Sequence, residues 1–366
     1  VELLITTQPV ESTTQNGSNA AGVTQQAFDR FGRVTWEMNQ LGVITCMAYD
    51  QATGALLQRI DDVNTTLLPN PYGWTSAGMH LVTDYVSDDQ GRTTQERGPW
   101  HEVQLREADT TATAIRRVEF TTYNDVDYEE RHASGCLTGD EPTANFTVIG
   151  AASVTRSDAN GRVVDEIQAV RCCGNGPLTP DEALPQEKWS RWTHHIYDPW
   201  GRLYARRVYH SIPARGDGDA GTNYLETIYG YDLMGRQNRV IDPAGTHQRT
   251  VYDVRDQVVS QWVGTDDTGA TDSDPTGGGA TGNNMVAVQL LEYDDGEAGG
   301  DGNLTQQTLP VDATSGNDRI TSYTYDFRDR RDTTTQTDGT TTWITQATYD
   351  NLNRLTASAR YHTSIA

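Results

Sequence analysis

Short runs in which apolar and polar residues roughly alternate recur along the whole chain, and turn-formers separate them. The runs "RVTWEM" (Arg33–Met38), "GVITCMAY" (Gly42–Tyr49), "THQRTVY" (Thr246–Tyr252) and "TTWITQATY" (Thr341–Tyr349) are typical. They are rich in Thr, Val, Ile, Tyr and Trp, the residues that suit a pleated, half-buried surface. Alternation places every second side chain on one face. The pattern predicts an all-β protein of antiparallel hairpins, with no helix longer than about two turns. No apolar run approaches the length needed to span a bilayer.

The runs belong to a repeat. Tyr-Asp occurs at Tyr49, Tyr197, Tyr231, Tyr252, Tyr293, Tyr325 and Tyr349, where composition alone gives roughly one or two such pairs. "FDRFGRV" at Phe28 is a variant, and "SDDQGRT" at Ser87 and "SDANGRV" at Ser157 are degenerate copies. Gly-Arg follows at Gly32, Gly91, Gly161, Gly201 and Gly235. A type I turn prefers Asp at its first position, Pro at its second and Gly at its fourth, and Asp198-Pro199-Trp200-Gly201 meets all three preferences. The Asp carboxylate accepts a hydrogen bond from the backbone two residues on. The Gly takes the left-handed conformation of a bulged hairpin. Where Gly is missing, Asp256, Asp329 or Asn353 replaces it, and these types best tolerate that conformation. A second turn falls about halfway, at Asn39–Gly42 and Asp242–Gly245, so strand, turn, strand, turn repeats with a period of 21 residues. In each unit the Tyr packs, the Asp caps and the Gly turns. The repeat residues are therefore Tyr49, Asp50, Tyr197, Asp198, Gly201, Tyr231, Asp232, Gly235, Tyr252, Asp253, Tyr325, Asp326, Tyr349 and Asp350.

Composition sharpens this picture. The net charge is −23, and hydrophobic residues make up 35% of the 366. Such a field repels nucleic acid and anionic membrane and favours solubility. The 17 Tyr and 8 Trp argue for order and for a thin core of aromatic layers.

The stretches "YDPWGRLYARRVY", "YDLMGRQNRVIDPAGTHQRTVYD" and "YDNLNRLTASARY" resemble the YD repeats of the Rhs family. That family includes toxin shells, the cocoons of insecticidal toxin complexes, wall-associated surface proteins and teneurins. The resemblance runs from Phe28 to the C-terminus, closely from Tyr197 on and loosely between Ala55 and Lys188. It implies an elongated β-solenoid or β-spiral ribbon and no chemistry of its own. Residues 1–27 read as an N-terminal strand and linker segment. Residues 28–366 form the array, with irregular, Cys-containing insertions around 55–190 and an acidic Gly-rich loop around 264–302. The chain starts at Val1 without Met and reads as a processed or excerpted piece of something longer.

Candidate chemistry is sparse. Cys46, Cys136, Cys172 and Cys173 lack zinc spacing. A bond between the adjacent Cys172 and Cys173 strains the backbone, so each is expected to reach Cys46, Cys136 or another chain. Asn16, Asn64, Asn145 and Asn303 head Asn-x-Ser/Thr sequons, candidate acceptors for glycans. Arg215 to Asn223 holds an Arg-Gly-Asp triplet and oxygens at Asp217, Asp219 and Asn223. Gly221 stands at position five and no bidentate Glu follows, so a solvated loop is expected, with calcium the alternative. His194 and His195 sit on a predicted strand and face opposite sides, which disfavours chelation. His101 lacks the second His of a zinc protease. No nucleophile elbow, phosphate loop or dinucleotide fingerprint occurs. No catalysis, metal or cofactor is expected.

The expected function is an extracellular or cell-surface structural or adhesive protein, a component of a fibre, filament or sheath. The alternatives are a shell segment of a secreted Rhs-type toxin and a carbohydrate-active enzyme on a β scaffold. The expected partner is another copy, head to tail, or neighbouring repeats of a longer chain. "VELLITT" at the N-terminus is the strand such a contact would donate.

Overall fold

The computed structural model describes residues 2–10, 21–104, 111–139, 145–171, 176–294, 301–312, 314–337 and 341–364. It divides into two compact units: Val1–His194 with Tyr209–Asn223, and His195–Val208 with Tyr224–Ala366. The described residues form 23 strands and two single-turn 3-10 segments, Gln186–Lys188 and Ser315–Asn317. The protein is all-β.

The first unit opens with β1 (Glu2–Thr7), β2 (Val23–Phe28), β3 (Val34–Met38), β4 (Ile44–Tyr49), β5 (Leu56–Asp61) and β6 (Leu81–Ser87). It continues with β7 (Thr93–Val103), β8 (Thr113–Asn124), β9 (Glu129–Thr138), β10 (Asn145–Ser157) and β11 (Val163–Val170). β12 (Trp189–Tyr197) begins in this unit, and its end together with β13 (Leu203–Tyr209) up to Val208 belongs to the second. From β1 to β12 each strand pairs antiparallel with the next. The N-terminal strand is therefore paired within its own chain along one edge. Glu2 faces Phe28 and Thr7 faces Val23, so β1 spends one edge on its own chain. Residues 55–190, read as irregular insertions, hold strands of the same ribbon from β5 to β11.

The second unit runs through β14 (Tyr224–Tyr231), β15 (Gln237–Ile241), β16 (His247–Tyr252), β17 (Val258–Gly264) and β18 (Val286–Tyr293). It ends with β19 (Leu304–Leu309), β20 (Arg319–Tyr325), β21 (Arg331–Thr337), β22 (Thr341–Tyr349) and β23 (Leu355–Ser364). From β14 to β23 each strand again pairs antiparallel with the next. The stretch 264–302, read as one acidic loop, is interrupted by β18.

The core differs from the aromatic layers expected. Its main cluster lies in the first unit, where the repeat grammar is weakest: Val118, Phe120, Ala133, Leu137, Phe146, Ala152 and Leu178. A second cluster joins Ile44, Ile60 and Val63, with Trp36 and Trp74 against it. Gly135 is required by a close approach, because a Cβ there would lie 2.5 Å from the Thr147 carbonyl oxygen. In the second unit no described side chain from β20 to β23 is fully buried. That stretch is a single layer with solvent on both faces.

Candidate functional site

The repeated turn supplies the chain's recurrent constellation of charged and aromatic side chains. At Asp232 to Arg236 the Gly235 amide donates to the Asp232 carbonyl (3.0 Å), and the Asp232 amide donates to the Arg236 carbonyl (3.0 Å). Asp232 Oδ1 accepts from the amides of Met234 and Arg236, both at 2.9 Å. Its Oδ2 accepts from Arg236 Nε at 2.7 Å. Gly235 has φ of 85°, and the register slips between Gly230 and Tyr231. This is the bulged type I hairpin anticipated above. The same bonds recur at Asp29, Asp88, Asp158, Asp198, Asp326 and Asp350, each with its own Arg four residues on. Asp50 caps a turn one residue longer, which closes on Gly54. Asp253 caps the Arg255 and Gln257 amides without an Arg partner at the fourth residue.

Sequence reasoning recorded the Gly-Arg pairs and missed what the Arg does. Four of these guanidiniums turn back to their own Asp and forward over the Tyr of the next unit. Arg33 covers Tyr49, Arg202 covers Tyr231, Arg236 covers Tyr252 and Arg330 covers Tyr349, at 4.5 to 5.0 Å. Arg236 Nη1 also donates to the Asp253 carbonyl at 2.7 Å, and Arg330 Nη1 to the Asp350 carbonyl at 2.8 Å. The Tyr completes the link by donating its hydroxyl to the strand after the preceding turn. Tyr49 donates to Val34, Tyr231 to Leu203, Tyr252 to Gln237, Tyr325 to Leu304 and Tyr349 to Arg331, at 2.8 to 3.1 Å. The signal in the sequence was the fixed offset of Arg from Asp.

The left-handed Asp256, Asp329 and Asn353, at φ of 58° to 66°, do more than replace Gly. Asp256 accepts from Arg236, Asn353 from Arg330, and Asp329 from the Asn303 amide. Electrostatics follow this wiring. The Arg330 guanidinium holds the Asp326 carboxyl down to about 2. Desolvation raises Asp232, and the Arg236 amide and guanidinium outweigh it, leaving the carboxyl below its usual range. Burial raises the Tyr49, Tyr231 and Tyr325 phenols. Tyr231→Phe, which deletes one link and no volume, is expected to cost about 0.5–1.5 kcal/mol in urea unfolding.

A second polar centre lies under the segment from Thr265 to Asn284. Asp267, 7% exposed, accepts from Arg239 Nε and Nη2 at 2.6 and 2.7 Å and from Arg249 Nε at 2.6 Å. His247 Nδ1 lies 2.9 Å from its other oxygen. Asp272 accepts from the buried Asn238 amide at 2.8 Å. The expected acidic surface loop is instead a strap pinned to the sheet by a buried carboxylate. In the first unit Asp165 Oδ1 accepts from Trp192 Nε1 and meets His194 Nδ1, both at 2.8 Å. Trp192 stacks on Tyr209 with centroids 3.8 Å apart.

The remaining candidates are dispersed. Cys46 and Cys136 are free thiols, which departs from the bridges expected. Cys46 packs beside Ile44 and Ile60, and burial pushes its thiol up to about 11. Cys172, Cys173 and Asn16 lie outside the described residues. Asn145 is exposed, whereas Asn64 caps the Thr66 amide and Asn303 donates to Asp329. In the Arg215–Asn223 loop the Asn223 side chain accepts from the Asp219 amide and donates to the Ser211 carbonyl. Among the described residues no group of three His, Cys, Asp or Glu is placed to hold a metal. An open groove of about 600 Å³ lies beside Trp200, Tyr204, Tyr229 and Tyr231.

No protein-family model matches the chain, and no curated protein sequence matches it. Among solved structures it is similar to the TcdB2-TccC3-Cdc42 complex at 16% identity and TM-score 0.32, over 92% of this chain and 18% of that one. The Photorhabdus luminescens Tc holotoxin pore matches at 14% identity and TM-score 0.31, with 92% and 18% covered. A porin-like protein from Bacteroides uniformis ATCC 8492 matches at 10% identity and TM-score 0.21, with 88% and 97% covered. The chain thus spans about a fifth of the toxin chains, and its fold is defined by the strands described above.

Proposed function

We propose that this chain is a length of YD-repeat wall: a secreted, non-catalytic ribbon that forms part of an Rhs-type toxin shell. The observation that supports it is the Asp–Arg–Tyr relay. The charged and phenolic groups of the repeat are spent on joining one hairpin to the next, as a wall needs and an active site does not. The single-layer stretch from β20 to β23, open on both faces, fits a wall with an inside and an outside. A surface fibre built by strand donation is less well supported, because β1 is paired within its own chain. Among the described residues no helix is long and apolar enough to cross a membrane.

Electron microscopy of the protein expressed with its full genomic reading frame tests the reading. Hollow particles that protect an internal polypeptide from added protease are expected. Thin solid filaments, or a hydrolase activity abolished by Asp232→Ala with unchanged melting, would refute it.

A further inference from the structure

We propose that one face of the single-layer stretch from β20 to β23 binds an acidic polypeptide segment. This goes beyond the wall reading and does not depend on it. The register sorts the side chains of the layer, because directly opposed residues share a face. One face carries the rows Tyr323–Thr334–Thr345–Arg360 and Thr321–Gln336–Trp343–His362. The other carries Ser322–Thr335–Ile344–Tyr361 and Ile320–Thr337–Thr342–Thr363. Arg331 joins the first face, since its guanidinium lies over the Tyr323 ring at 5.4 Å. Asp332 is the one acidic residue in the four strands. It turns to the second face, where its carboxylate accepts from Thr324 Oγ1 at 2.5 Å.

The first face thus holds cations and rings without a strand carboxylate. Arg360 lies over Trp343 at 5.0 Å, and His362 packs against the same ring with centroids 4.8 Å apart. Trp343 is 36% exposed, and Arg331, Arg360 and His362 are exposed. Among the described residues no carboxylate is paired with Arg331 or Arg360, whereas the turn arginines Arg330 and Arg354 each hold their own Asp. A guanidinium positioned over a ring is oriented in advance and keeps its N–H donors for a carboxylate.

The carboxylates nearest this face stand at the turns. Asp326 and Asp350 are neutralised by Arg330 and Arg354. Asp294, Asp301 and Asp329 gather at the turns beside Tyr325, and Asp312 and Asp318 accept the amides of Thr314 and Val311 before β20. Asp338 lies outside the described residues. The positive end of the face is therefore the one at Trp343, Arg360 and His362. Charge and surface chemistry select the occupant. The net charge of −23 holds back densely charged nucleic acid at long range. A peptide with spaced carboxylates meets less repulsion and pairs with Arg331 and Arg360 once it arrives. Thr334, Gln336 and Thr345 between them offer hydroxyls and an amide to its backbone. An extended peptide presents alternate side chains about 7 Å apart on one side, the same spacing as the two rows.

Fluorescence anisotropy tests it on this chain, with a labelled peptide of alternating Glu and Thr about eight residues long, enough to cross the four strands. Binding is expected with a dissociation constant on the order of 100 µM at low salt, weakening as salt rises. Arg360→Glu should raise that constant by on the order of tenfold with unchanged melting, because the side chain is solvated. Trp343→Leu removes the ring beneath Arg360 without changing charge and should weaken binding by roughly threefold. Arg206→Glu, at an exposed arginine on β13, makes the same change in net charge and should leave binding as in the wild type. No binding up to about 1 mM peptide would overturn the proposal. So would an Arg206→Glu effect equal to that of Arg360→Glu, since net charge alone would then act. Tighter binding of heparin or a single-stranded oligonucleotide would assign the face to another polyanion. A wild type that sediments as a dimer which Arg360→Glu dissociates would place a second copy there instead, and either result would refute it.

Discussion

Phe120→Ala is expected to lower the unfolding free energy of the first unit by about 3–5 kcal/mol, with Phe327→Ala within about 0.5 kcal/mol of the wild type. The contrast follows from placement. Phe120 is 1% exposed, while Phe327 is 88% exposed on a turn. On β8 alternate residues Arg116, Val118, Phe120 and Thr122 point inward. Phe120 meets Phe146 edge to face, with centroids 5.9 Å apart. Its ring also fills the space above Gly135, where a Cβ would come within 3.0 Å. Removing the ring loses its transfer energy, the aromatic pair and the contacts around the cavity. The site cannot collapse readily, because β8 is hydrogen-bonded to β7 on one side and β9 on the other. Guanidinium unfolding of the three proteins is the measurement. A loss below about 1 kcal/mol at Phe120 would mean that this cluster does not hold the unit together.

What was legible in the sequence, and what was not, divides by the range of the interaction. The hairpin turn spans five residues, so Asp198, Gly201, Asp232 and Gly235 could be assigned from local chemistry alone. The left-handed Asp256, Asp329 and Asn353 were readable for the same reason. The Arg relay was not, because Arg236 reaches Asp253 and Tyr252 only once two strands have been folded between them. The main core was hidden by polar residues at buried positions. Arg116 interrupts the apolar alternation of β8, and it is tolerated because it donates to the Gly98 and Arg97 carbonyls and pairs with Asp84. Asp267 was hidden most completely. A Gly- and Asp-rich stretch reads as solvated loop, and nothing local shows that Arg239, Arg249 and His247 converge on one of its carboxylates.

Asp267→Ala is expected to free the strap and lower the stability of the second unit by about 2–4 kcal/mol at neutral pH. Breaking a buried pair by removing one partner costs about 3–5 kcal/mol, because it strands the other charge. Here Arg239 is 30% exposed and recovers some hydration, which lowers the figure. The strap then keeps Asp272 on Asn238 and the closure of Asn284 on Thr265 and Asp266. These do not replace the lost charge over Arg249, whose side chain is 12% exposed. The pH dependence separates this from simple loss of packing. Desolvation raises the Asp267 carboxyl, and the hydrogen bonds and charges of Arg239 and Arg249 outweigh it, so it lies well below its usual range. A carboxyl whose folded value is depressed contributes stability that is complete above its unfolded value, near 3.9. That contribution is lost as pH falls from about 4 toward the folded value. The gap between wild type and Asp267→Ala should therefore be present at neutral pH and narrow below about 4. Urea unfolding at neutral, mildly acid and strongly acid pH measures the gap. Proteolysis at Gly277 to Gly279 reports the strap directly, and cutting should be faster in the variant at neutral pH. A gap that does not narrow in acid would show that the Asp267 side chain acts by filling space and not by its charge.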